Sequence, residues 1–298
     1  MQVRFTYPLN HSVDNLADFL SKLKEAGYDG VEMQLPKEKV EKFILKHVLK
    51  DLNLLFVATI KLEYNTFEEY FTAYINALND LQEFEPVAIN SVTGKSWFSF
   101  EQNCRLIEEA ALFAVKTGIK VYHKADRNGF AFHPAVVGNY IKTFANLEFT
   151  SDFSEWVIAS GMEPNRFKNL CGDISFSHIN CKIADTNTAQ ISDPRAPEFS
   201  GLMEQYIKSW EEIVANACRT EKALVTINTA FDQACAPKLP YSNMPVSNAW
   251  DINLYLLKTL SEAFAKYAAK AEQTQKVKVE LKEEEKSILV KMERHQLN

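Results

Sequence analysis

Lys124 and Asp152 carry the chemistry that stands out in this chain. Each closes a short run of strand-forming residues, Ile119–Lys124 and Leu147–Asp152, and a stretch of helical period separates the two runs. That is a βαβ unit with a charged group at the carboxyl end of each strand, where parallel α/β folds bind their ligands. An ammonium and a carboxylate placed there allow three things. They can form an ion pair that closes the site, which is how a partly buried carboxylate is tolerated. A lysine with its pKa lowered by burial can act as base or Schiff-base nucleophile, with Asp152 or Glu32 as proton partner. An adjacent carboxylate works against that second use, because it raises the lysine pKa. Third, the pair can take part in metal-free binding of a ligand.

The rest of the sequence repeats the same alternation. Strands are expected at Val3–Tyr7, Gly30–Gln34, Leu55–Ile60, Val87–Ser91, Ile119–Lys124, Leu147–Asp152, Phe176–Ile183 and Leu224–Ala230. Helices are expected at Val13–Ala26, Lys37–Asp51, Thr66–Leu81, Phe100–Thr117, Pro134–Phe144, Phe153–Ile158, Pro197–Ala217 and Asn248–Ala271. Eight strands, each followed by a helix, predict an α/β fold of the (β/α)8 TIM-barrel type as a single domain over 1–270. Gly27 and Gly118 stand where helices end, and Ser12 can serve as an N-cap. Only 9 glycines are present and none forms a GxGxxG or P-loop pattern, which argues against a doubly wound nucleotide-binding sheet.

Strand parity then sets the barrel mouth. The last inward residues are Glu32, Asn90, Lys124, Asp152, Asn180 and Ala230, with His178 one layer deeper and Lys182 one layer above. This polar, mixed-charge set suits a ligand-facing mouth better than a packed layer. His123 has outward parity and is expected to pack against a helix, whereas His178 is either core or pocket floor. Arg127 and Arg195 fall in loops at the mouth, where a guanidinium can bind a carboxylate or phosphate. The loops after the last two strands, Asp185–Ile191 and Phe231–Pro240, lack the glycines of a phosphate-binding turn.

Composition narrows the function classes. A net charge of -6 without an obvious basic face argues against nucleic-acid binding. No apolar run is long enough to span a bilayer and no secretory leader is evident, so a cytoplasmic protein without a membrane association is expected. The five cysteines are scattered, with no CxxC pair, and fit reduced thiols rather than disulfides or zinc. After Ala271 the chain turns rich in Lys and Glu but keeps Ile288 to Met292 apolar. That charged helical tail, 271–298, is expected outside the barrel, either solvated or as a contact in a homo-oligomer or with a partner.

Three stretches carry a family resemblance: TSDFSEW at 150–156, SHINCKIADTNTAQISDPRAPEF at 177–199, and the segment from Thr226 through PKLPY to Trp250-Asp251-Ile252-Asn253. Over residues 3–262 the chain resembles the xylose isomerase-like TIM barrels, the sugar phosphate isomerase/epimerase group. The resemblance implies a divalent cation held by a glutamate, an aspartate, a histidine and a second glutamate. At those positions this chain has Lys124, Asp152, Asn180 and Ala230, so only the aspartate is kept. Glu155 stands where the family has a histidine and Lys182 where it has an arginine. A lone carboxylate beside an ammonium does not repay the dehydration of a divalent cation. No metal or other cofactor is therefore expected. The expectation is a non-catalytic or metal-independent homologue that binds a small sugar-like or hydroxyacid ligand through Glu32, Asn90, His178, Asn180, Lys182 and Arg195, with Lys124 and Asp152 at its centre. The alternative is an active isomerase or epimerase that holds a metal through rearranged ligands: Glu32, Asp152, Glu155 and His178.

Overall fold

A computed structural model describes residues 1–172 and 174–267, with the side chains of residues 168 and 170–172 left out. The expected tail at 271–298 lies outside the described residues. Eight parallel strands close into a barrel in sequence order: β1 (Gln2–Leu9), β2 (Gly30–Met33), β3 (Leu55–Ile60), β4 (Ala88–Ser91), β5 (Val121–Lys124), β6 (Glu148–Ser151), β7 (Ser175–Asn180) and β8 (Leu224–Asn228). β8 closes the ring on β1 through a register from Gln2 opposite Leu224 to Thr6 opposite Asn228. The helices α1 (Leu16–Glu25), α2 (Lys39–Asp51), α3 (Phe67–Gln82), α4 (Phe100–Thr117), α5 (Pro134–Thr143), α6 (Phe153–Ser160) and α7 (Ser200–Arg219) alternate with the strands, and α8 is described over 249–267. This is the (β/α)8 TIM barrel that the alternation predicts.

Local chemistry sets the boundaries. α4 opens on a capping box between Ser99 and Gln102 and closes on Gly118, whose φ of 77° lies in the left-handed region that glycine enters without strain. α1 is capped by Asn15, which accepts from the amides of Ala17 and Asp18, and not by Ser12: the amide-bearing side chain lies one residue before the helix and wins the competition. Asn248 does the same for α8, accepting from Trp250 and Asp251 amides. At Gly30 the chain needs a bare Cα, because a Cβ there would sit 2.3 Å from the Leu55 carbonyl oxygen across the β2–β3 pair.

β1 runs on to Leu9 and β2 stops at Met33, shifts of one or two residues from expectation, and three further strand ends differ in ways that shape the mouth. β7 stops at Asn180 rather than Ile183, and β8 stops at Asn228 because the chain turns at Ala230, with φ of 57°. β6 stops at Ser151, which leaves Asp152 as the N-cap residue of α6 rather than a strand residue. A register shift between Phe149 and Thr150 sets Thr150 opposite His178, so that Asp152 comes level with Asn180. A segment of 3-10 helix at Pro164–Gly172 follows α6, where the sequence periodicity predicts no element.

The TSDFSEW stretch is positioned by its aromatics. Phe153 and Trp156 are fully buried and pack with Phe167 and Phe176, and the Trp156 indole donates to the Ala131 carbonyl at 2.9 Å. Anchoring that face of the first turn turns Asp152, Ser154 and Glu155 toward the barrel mouth. His123, of outward parity, is buried against Phe130 and Phe149, with Nδ1 2.8 Å from the Thr93 hydroxyl. The expectation is packing against a helix; the partners the structure gives this ring are instead Thr93 and Phe130 in loops and Phe149 on β6. Among the cysteines, Cys104 and Cys181 are buried thiols and Cys235 an exposed one, while the side chain of Cys171 lies outside the described set.

Candidate functional site

At the centre of the mouth Glu32 gathers four strands. Its Oε1 accepts from Asn90 Nδ2 on β4 at 2.6 Å and from the Thr59 hydroxyl on β3 at 3.3 Å. Its Oε2 accepts from Asn228 Nδ2 on β8 at 2.6 Å and lies 2.8 Å from His178 Nε2 on β7. The Nε2–Oε2 contact is close but turned off the line of a directed hydrogen bond. Burial pushes the Glu32 pKa up, but His178, the Asn90 amide and the Lys124 charge outweigh it, and the net shift is downward. Glu32 is therefore a carboxylate at neutral pH, 4% exposed and held on both oxygens. On its far side His178 places Nδ1 2.6 Å from the Thr226 hydroxyl, and, fully buried and outside the cavity lining, it is a core histidine beneath Glu32.

Beside this cluster Lys124 places Nζ 3.3 Å from Asp152 Oδ2. Asn180 donates to that same oxygen at 3.3 Å, and the Ser154 hydroxyl donates to the other. Burial lowers the Lys124 pKa, but Asp152, Asp126, Glu155 and Glu32 together raise it further, so the net shift is upward. The amine stays protonated at neutral pH and is no nucleophile there. Burial likewise pulls Lys182 down while Asp152 and Glu155 lift it to a net upward shift. Its Nζ donates to Glu155 Oε1 at 2.6 Å, and the other oxygen of Glu155 lies 3.0 Å from Arg127 Nε. Two ion-paired groups thus line the β5–β7 side of the mouth.

These residues border a cavity of about 600 Å³, lined by five cations and five carboxylates. Glu32, Lys124, Asp152, Asn180, Lys182 and Ala230 face it, whereas Asn90 and His178 lie below the lining. Arg195 does not line it: the guanidinium is held within its own loop by Asp193, with Nε 2.8 Å from Oδ1 and Nη2 2.6 Å from Oδ2. Arg127 does line it. Asn228, Thr59 and Ser154 are site residues that parity alone did not supply. For Asn228 the sequence does carry a signal, since it shares the parity of Ala230 one step earlier, and because β8 ends at Asn228 that residue forms the lip.

The donor set fits a divalent cation poorly. At the four positions where the resemblance implies ligands stand an ammonium, a carboxylate, an amide and a methyl, and the ammonium is within ion-pair distance of the carboxylate. The rearranged set does not converge either: Glu32 is taken by His178 and two amides, Glu155 by Lys182 and Arg127, and Asp152 by Lys124. Among the described residues no group of three or more His, Cys, Asp or Glu side chains could hold a metal ion.

The Glu32 cluster gives a direct test. In Glu32→Gln one oxygen becomes an NH2 group facing the NH2 of Asn90 or Asn228, which leaves buried donors opposed. A loss of about 2–4 kcal/mol in denaturant unfolding is expected. Unchanged stability would mean that the amides repack freely and that the cluster does not hold the mouth.

No family model matches the chain, and no curated protein matches it significantly. Solved structures do. The probable 3-DHS dehydratase AsbF from Bacillus anthracis aligns with a TM-score of 0.56 at 16% identity, covering 86% of this chain and 98% of that one. The 3-keto-D-glucoside 4-epimerase YcjR from E. coli aligns with a TM-score of 0.57 at 14% identity, covering 88% of this chain and all of its own. A sugar phosphate isomerase/epimerase from Parabacteroides distasonis aligns with a TM-score of 0.50 at 10% identity, covering 90% and 95%. Identities this low speak for the fold alone: these three structures share the TIM-barrel architecture of this chain.

Proposed function

We propose that this barrel binds a small sugar-like or hydroxyacid ligand at its mouth without a divalent cation, as a non-catalytic or metal-independent relative of the sugar isomerases and epimerases. One observation carries the reading: the Lys124 ammonium lies 3.3 Å from Asp152, the one carboxylate kept from the metal set that the resemblance implies. The ammonium supplies positive charge where an imported cation would otherwise be needed, and every nearby carboxylate already has a protein partner. Polar lining and the barrel-mouth position support a hydroxylated ligand over an apolar one.

Calorimetric titration of chelator-treated protein with ketoses, aldoses and α-hydroxy acids tests this. Saturable binding that is unchanged by added Mn2+ or Mg2+ is the expected result. Binding that appears only with the added metal would overturn it. Any turnover of a bound ligand should likewise persist in the chelator.

A further inference from the structure

The charges around the mouth are unequally committed. On the β5–β7 side Lys124, Lys182 and Arg127 each face a carboxylate. The acids of the rim are also engaged: Asp126 Oδ1 accepts from the Asn128 amide at 2.9 Å, and Asp232 Oδ1 accepts from the Ala234 amide at 2.8 Å. Across the mouth, Lys37 after β2 and Lys61 after β3 have no ion pair among the described residues. Both line the main cavity and also a second basin of about 350 Å³, so they stand where the two spaces join. Thr59, which donates to Glu32, lies at the same junction. A third lysine of the basin, Lys42, is 3.7 Å from Asp80.

A second, independent feature marks the floor. The Asn180 amide must present its NH2 to Asp152, since a carboxylate only accepts. Its Oδ1 is then left as an acceptor without a partner, on a residue 5% exposed that lines the cavity. A buried carbonyl in that position asks for a hydroxyl donor. Lys124 makes its ion pair to Asp152 without a directed hydrogen bond, so its N–H groups remain for a ligand oxygen beside that hydroxyl.

We infer that the ligand is a polyhydroxylated anion, seated with a hydroxyl at Asn180 and Lys124 and with its anionic group, carboxylate or phosphate, between Lys37 and Lys61. This rests on the ligand-binding reading above and adds the charge and direction of the ligand. Ammonium groups are suited to the task because each is a point donor that meets a tetrahedral or planar oxyanion equally well. The paired cations of the opposite wall are less suited, since an anion there would compete with Asp152 and Glu155.

The probes are three five-carbon compounds: ribitol, ribonate and ribitol 5-phosphate. Each is titrated at low salt into the whole protein and into the Lys37→Gln/Lys61→Gln variant, whose two sites are exposed. The anions should bind the wild type at least about tenfold more tightly than ribitol, and the variant should bring all three to the same affinity. Added salt should erode the preference in the wild type. Ribonate and the phosphate, compared, say which oxyanion the clamp prefers. Equal affinity of ribitol and both anions for the wild type, or a preference that survives in the variant, overturns the inference while leaving the ligand-binding reading intact. Absence of binding by all three probes and by the neutral sugars overturns both.

Discussion

Lys124→Met is expected to lower the unfolding free energy by about 3 kcal/mol, near the lower end for breaking a buried ion pair. The lower end applies because the Lys124 side chain is 18% exposed and water reaches it, whereas Asp152 is 1% exposed. Removing the ammonium leaves Asp152 with one hydroxyl and one amide donor in a site it cannot leave. In a domain of this size the loss corresponds to about 6–12 °C in the unfolding midpoint. The double variant Lys124→Met/Asp152→Leu should recover part of it, because two apolar side chains need no compensation, and the coupling should reach about 1–3 kcal/mol. Denaturant unfolding of the four proteins gives the cycle. A single variant as stable as the wild type would mean that Asp152 does not depend on Lys124, and the ammonium would lose its proposed role.

The second large effect is acid destabilisation through His123. Burial lowers its pKa from 6.5 to about 4, so the folded state keeps the ring neutral where the unfolded chain has already bound a proton. Stability from this group is therefore fully present above pH 6.5, falls as the pH drops from 6.5 to 4, and is level again below that. The shift corresponds to about 3 kcal/mol over the window. Glu32, whose pKa is also lowered, adds its own loss only as the pH falls through and below the ordinary carboxylate value of 4.5, so the upper part of the window belongs to His123. His123→Gln keeps a hydrogen-bonding group for Thr93 and removes the proton. Its unfolding free energy should vary much less between pH 6.5 and 4.5 than that of the wild type. Parallel curves for the two proteins would assign the slope elsewhere.

Much of this architecture was legible because periodicity and parity are strong signals. The spacing of apolar runs gave eight strands in order, and parity brought Glu32, Lys124, Asp152 and Asn180 to one mouth. What escaped the sequence depended on a few backbone turns and on who pairs with whom. Residues 181–183 (Cys-Lys-Ile) and 229–230 (Thr-Ala) contain no Gly or Pro to break a strand, so nothing in their composition announces that β7 and β8 have ended. Asp152 looks like a strand terminus by type, yet the register shift at Phe149/Thr150 and the aromatic anchor of α6 make it a helix cap. Arg195 stands in a mouth loop by position, but an aspartate two residues earlier holds it away from the cavity. The pairing of His178 with Glu32 joins residues 146 positions apart and has no local sequence trace.

Metal analysis of the purified protein, run beside Asp152→Asn, decides whether Lys124 has taken the place of a cation. Substoichiometric Mn, Mg, Zn, Co and Fe in both proteins, unchanged after dialysis against each ion, is the outcome expected of a site filled by its own ammonium. One equivalent of any of these ions in the wild type, lost in Asp152→Asn, would show a working metal centre and contradict that substitution.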